Sequence, residues 1–148
     1  MISFKESSYF ELVENILETP IGVFYLLDGV IVGEIKEGVH GTWSLVEEIV
    51  QTVQQYYNSD GADLVYVSNR INTYSVDPID WLNIYRTGRT LLGVAVVSQR
   101  ATSWVNANLE ALFIKSAFES FKTLNEAMDW AFDLRCLVLE NYSKTISS

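Results

Sequence analysis

Phe121-Lys122-Thr123-Leu124-Asn125-Glu126-Ala127-Met128-Asp129-Trp130-Ala131 reads as the end of a strand, a capped turn and the start of a last amphipathic helix. Thr123 and Glu126 have the Thr-x-x-Glu spacing of a capping box. In that motif a hydroxyl and a carboxylate serve backbone N–H groups that the first helical turn leaves unpaired. The stretch marks an α/β domain that finishes by laying a helix on its sheet. It carries no chemistry of its own.

Upstream, the pattern alternates. Residues 91–97, Leu-Leu-Gly-Val-Ala-Val-Val, form the most apolar run and read as a central strand covered on both faces. Residues 64–67 read as a second buried strand, and residues 113–121 as the strand before the last helix. Helices are expected between them, over Asp80–Arg86 and residues 101–112, with Asp77 as a cap for the first. Another helix follows Gly41, where Val46, Ile49, Val50, Val53 and Tyr57 recur at helical spacing. Thr42 or Ser44 can cap it, and Ser44 with Glu47 repeats the capping-box spacing. The first third reads as a β-meander: residues 9–15, then residues 21–27 and Val30–Ile35 joined at the hairpin signal Asp28-Gly29. The order is βββ-α-β-α-β-α-β-α, an α/β fold with a single mixed β-sheet, since strands joined through helices require parallel pairing. Residues 1–148 make one domain, with the last helix closing near Glu140 and residues 141–148 as a frayed tail.

Composition limits the function classes. The chain holds 10 basic and 19 acidic residues, for a net charge of −9. Nucleic acid is excluded as the expected ligand, because its binding needs a Lys/Arg surface, and anionic membranes are disfavoured for the same reason. A basic protein partner suits that charge. No apolar run approaches the roughly 20 residues of a membrane span, so no membrane insertion is expected. Residues 1–6 lack a basic n-region and an apolar h-region, which makes the cytoplasm the expected location. Cys136 is the single cysteine; set between apolar neighbours, it reads as a buried, inert thiol. No cofactor motif or metal-ligand spacing is present, and no cofactor is expected.

The closing segment and the element order resemble the STAS-like domains, the group of anti-sigma-factor antagonists and sulfate-transporter cytoplasmic domains. The similarity is greatest to divergent bacterial members that end in Phe-x-[Ser/Thr]-Leu-x-[Glu/Asp]-Ala-x-x-Trp. Here those positions are Phe121, Thr123, Leu124, Glu126, Ala127 and Trp130. The resemblance implies a STAS-like fold and a protein-binding or small-ligand role, without catalytic residues. Typical antagonists carry a phosphorylated hydroxyl between an Asp and a Gly in the turn after a central strand. Thr73 and Ser75 stand in that region, but the flanking Asp and Gly are absent, so the phosphoswitch does not carry over.

Two strands are followed by the same pattern, Ser68-Asn69-Arg70 and Ser98-Gln99-Arg100. In open α/β sheets ligands sit beyond the carboxyl ends of the strands, where the strand order switches. Were these strands parallel neighbours, two guanidiniums, two hydroxyls and two amides would converge there, a set suited to a carboxylate or phosphate. Trp81 and Trp104 follow the two turns and could line a pocket or anchor an interface. The competing reading of all eight residues is turn formation, ion pairing and core packing. His40, the single histidine, lies in a glycine-rich loop without a recognisable catalytic set.

Three functions follow, in descending order of expectation. The first is a non-enzymatic module that binds a protein partner or a second copy of itself. The second is a domain holding a small anionic or lipid-like ligand at the carboxyl edge of the sheet, a role made reasonable by the lipid-carrying CRAL-TRIO domains, distant architectural relatives. The third is an enzyme using His40.

Overall fold

The computed structural model describes residues 1–147, and the side chains of residues 102 and 142–147 lie outside the description. Two short 3-10 turns, Phe4–Glu6 and Ser8–Leu12, precede the sheet. The strands are β1 (Asn15–Thr19), β2 (Gly22–Leu26), β3 (Val30–Ile35), β4 (Val65–Asn69), β5 (Gly93–Val97) and β6 (Ala117–Phe121). Helix α1 (Trp43–Tyr57) joins β3 to β4, and α2 (Asp80–Arg86) joins β4 to β5. Helix α3 (Ala101–Ala111) joins β5 to β6, and α4 (Leu124–Ser147) ends the chain. The expected α/β order βββ-α-β-α-β-α-β-α is the observed one.

The six strands form one sheet in chain order, β1-β2-β3-β4-β5-β6. β1, β2 and β3 pair antiparallel, and β3 through β6 pair parallel. Alternation along each strand sorts two cores. Val30, Val32, Val65, Val67, Ala95 and Val97 face α4, which seals them with Leu124, Ala127, Met128 and Ala131. Phe24, Ile31 and Tyr66 face the opposite way, toward Val53 and Ile49 of α1. Helices α2 and α3 share that second face: Trp81 of α2 stacks near Tyr66, and Glu110 of α3 reaches both Trp81 and Arg70. All three crossover helices therefore lie on one side of the sheet. The strand order never reverses, so no switch-point crevice exists.

Several local expectations are corrected. Residues 9–15 are not the first strand; β1 begins at Asn15. Tyr9 packs on Phe132 and Phe10 on Tyr25, so two successive rings point inward, which a strand cannot arrange but a 3-10 turn can. Of the two cap candidates for α1, Thr42 holds the position; its hydroxyl lies 3.3 Å from that of Ser44 and caps no backbone N–H, and Ser44 is not the cap. At α4 the box forms in part, the Glu126 N–H donating to Thr123 Oγ1 at 3.3 Å while the Thr123 hydroxyl donates to the Glu126 carboxylate. Helix α4 runs on to Ser147, past the expected close near Glu140, and residue 148 lies outside the described residues. Cys136 is exposed rather than buried. Its apolar neighbours Leu134 and Leu137 are each off its own helical face, so sequence adjacency misled.

On the α4 side a polar cluster fastens the N-terminal turns to the sheet. The Phe4 N–H and the Asn69 side-chain amide both donate to Glu34 Oε2, at 2.8 and 2.7 Å, and Asn69 Nδ2 also reaches the Ile2 carbonyl. Burial lifts the Glu34 carboxyl above its ordinary value, an effect the Phe4 and Asn69 donors only partly offset and Glu6 reinforces. A carboxyl raised on folding binds its proton more tightly in the folded state. Its contribution to stability therefore falls as pH rises through the folded pKa, and the cost is fully present only above that pKa. Glu34→Gln keeps one oxygen for both donors and removes the buried charge. Urea unfolding at pH 7 should show it at least as stable as the wild type, the difference closing as pH falls to about 4. Glu34→Ala, which strands both donors, should lose about 1–3 kcal/mol. If the glutamine variant is the weaker of the two, the ionised carboxylate is what holds the turns.

Candidate functional site

Between the sheet and the crossover helices lies an apolar cavity of about 180 Å³. Phe24, Ile31 and Ile35 form its floor on the sheet. Ile49 and Val50 of α1 and Ile84 of α2 close it from the helices, because α1 buries the apolar face legible in its spacing. The exposed Ser75 and Val76 stand at its rim. One end is polar, with Ser68, Arg70, Tyr74 and Glu110 among the lining residues.

The polar end follows from strand alternation. Tyr66 and Ser68 point from β4 to the helical face, and Arg70, just past the strand, continues their series. Glu110 sits one turn after Ala107 on the buried stripe of α3. Arg70 and Glu110 are 6% and 2% exposed, so each has left water for the other. Arg70 Nη2 donates to Glu110 Oε1 at 2.8 Å, and Nη1 lies 2.7 Å from Oε2. Arg70 Nε donates to the Ser68 hydroxyl at 3.2 Å, and the guanidinium lies over the Tyr74 ring. Trp81 Nε1 donates to the same Glu110 Oε1 at 3.1 Å. Burial acts to lower the Arg70 pKa, but the Glu110 carboxylate bonded to it outweighs this, so Arg70 stays charged. Burial pushes the Tyr66 and Tyr74 phenols up, and both remain neutral. The result is a charge-compensated pair capped by hydroxyls at the end of an apolar hollow.

The eight residues singled out in the sequence do not converge. β4 and β5 are parallel neighbours as expected, but Ser68 pairs in register with Val96, so the two tripeptides are staggered by two residues. Asn69 points to the other face, toward Glu34. Gln99 reaches outward to the Lys122 carbonyl at 3.2 Å. Arg100 is exposed and donates to the Ile71 carbonyl at 2.9 Å, while Arg70 is spent on Glu110. The pair of guanidiniums expected to bind an anion is therefore not assembled. Ser98 bonds the Arg100 N–H, and its carbonyl takes the Trp104 indole N–H, which makes that turn a cap for α3. Ser68, Arg70 and Trp81 do meet, at the cavity's end, and it is Glu110, not singled out in the sequence, that gathers them. Its one signal was a carboxylate in phase with Trp104 and Ala107.

His40 Nδ1 lies 2.7 Å from the Ser75 hydroxyl, and both residues are exposed. Around them the Gly38 N–H donates to the Thr73 carbonyl and the Ser75 N–H to that of Val39. The side-chain contact thus belongs to a tie between two loops at the cavity's rim.

These features define the class: one mixed sheet in chain order, with crossover helices on one face and a long closing helix on the other, is a SpoIIAA-like, STAS-like fold. The crystal structure of an uncharacterised protein from the DUF3478 family, with a SpoIIAA-like fold, from Shewanella loihica PV-4 superposes with a TM-score of 0.52. The match covers 79% of this chain and 90% of that one, at 13% identity. By sequence, neither a family model nor a curated protein matches the chain. Among the described residues no helix is long and apolar enough to cross a membrane.

Proposed function

We propose that the protein is a non-enzymatic STAS-like module that holds a small amphiphilic molecule between its sheet and helices α1 and α2. The observation that carries this reading is the apolar cavity of about 180 Å³ ending in buried polar groups. Ligand sites are mostly apolar hollows with a few placed polar groups, and this cavity has that make-up. Burying an alkyl chain there would yield about 0.8 kcal/mol per methylene, less the entropy lost on association.

The test uses Nile red, an uncharged dye that brightens in apolar surroundings. Wild-type protein should bind it saturably, and a medium-chain amphiphile should displace it. Val50→Trp, which fills the cavity from α1, should weaken binding at least about tenfold with the melting temperature little changed. Equal binding by the variant would place the dye elsewhere.

A second reading, the docking of a protein partner, rests on α3. Val105, Leu109 and Leu112 are 61%, 49% and 78% exposed and recur at helical spacing along its outer side. Failure of every amphiphile to bind, together with self-association in sedimentation, would favour it.

A further inference from the structure

We infer that the cavity selects an uncharged headgroup and rejects carboxylates, phosphates and ammonium groups. This rests on the amphiphile-binding reading above and deepens it. A buried arginine in an apolar hollow ordinarily signals an anionic ligand, because its planar fork matches a carboxylate. Here Glu110 already occupies that fork, with contacts of 2.8 and 2.7 Å. Of the three N–H groups that Glu110 leaves over, Nε is turned to Ser68, so the objection to a second anion is its charge rather than a want of donors. A carboxylate entering beside this pair would leave two negative charges on one guanidinium, away from water. Burying a charge without a partner is far more costly than burying a hydroxyl or amide. An ammonium group meets the mirror problem, with two cations and one carboxylate.

Displacement of Glu110 would not relieve this. Glu110 also accepts the Trp81 indole N–H, so releasing it from Arg70 would still leave a carboxylate fixed by α2 in the same dry end. An alcohol, by contrast, adds no charge. Ser68 and Tyr74, whose hydroxyls lie 3.0 Å apart, can each rotate a proton to meet it. The cavity is therefore built for a neutral amphiphile such as a medium-chain alcohol or amide.

The experiment is isothermal titration of the full chain at pH 8 with 1-octanol, octanamide, octanoate and octylammonium. Alcohol and amide should bind, and both ions should bind at least about tenfold more weakly. Glu110→Gln frees the Arg70 fork and should reverse the order, with octanoate overtaking octanol. Octanoate binding as tightly as octanol in the wild type overturns the selection while leaving the cavity reading intact. Binding by none of the four overturns the cavity reading itself. The wild-type series decides the matter even if Glu110→Gln does not fold.

Discussion

Arg70→Ala lowers the unfolding free energy by about 3–5 kcal/mol, because it leaves the Glu110 carboxylate buried without its cation. In a chain of this size the melting temperature should fall by roughly 6–20 °C. The cost is dominated by the abandoned charge, since the pair's own net contribution is small once desolvation is counted. Removing both charges together should therefore restore most of what one removal loses. Arg70→Met with Glu110→Gln does this while the glutamine carbonyl still accepts from Trp81 Nε1. Urea denaturation of the single and double variants measures the recovery. A loss below about 1 kcal/mol for Arg70→Ala would show that water reaches the pair, as it does in surface ion pairs. The charge argument for the cavity would then weaken with it.

Gly61→Ala should be nearly as damaging, for a different reason. Gly61 has φ 103°, a left-handed conformation that side chains resist, and an added Cβ would collide with the Thr90 carbonyl oxygen. The two loops are pinned at this point, with the Thr90 N–H donating to the Asp60 carbonyl at 3.0 Å. Backbone meets backbone, so no side chain can swing away, and the loss should reach about 3 kcal/mol or more. Gly38 provides the control. Its φ is also positive, at 74°, but nothing lies within 4 Å of its missing Cβ. Gly38→Ala should cost only about 1–2 kcal/mol, the conformational part alone. Thermal melts of the two variants separate the terms, and equal losses would show that the Thr90 contact yields. Gly61 also lines the cavity, so its substitution should perturb ligand binding where that of Gly38 does not.

Much of the fold was legible because it is written locally. β3 and α2 fall on the expected residues, since a hairpin turn and a helical period each leave a mark within a few positions, although Ile79 rather than the expected Asp77 stands at the cap of α2. The N-terminal turns were misread because Tyr9 and Phe10 answer to partners far along the chain, in α4 and β2. The strand order was not legible at all. Alternation fixes the hand of each crossover, but not whether the sheet grows in one direction or turns back. That missing fact decided the site. A reversal would have put a crevice beside Ser68 and Ser98; steady growth put the hollow beneath the helices instead. Glu110 escaped notice for a similar reason, since its partner Arg70 is 40 positions earlier and no local pattern links them.

The same steady growth governs how the chain can assemble as it is made. Each strand pairs with the strand synthesised just before it, so the sheet can extend as residues leave the ribosome, at about 5–20 residues per second. Helices α1, α2 and α3 emerge in time to cover their side. The other side waits for α4, which supplies Leu124, Ala127, Met128 and Ala131 to a wall of valines already in place. Until α4 emerges, that wall has only the N-terminal turns over it. The nascent chain thus carries a half-dressed sheet from β3 until α4 is out. A stall before α4 would be the moment at which a chaperone, or another nascent copy, finds it sticky.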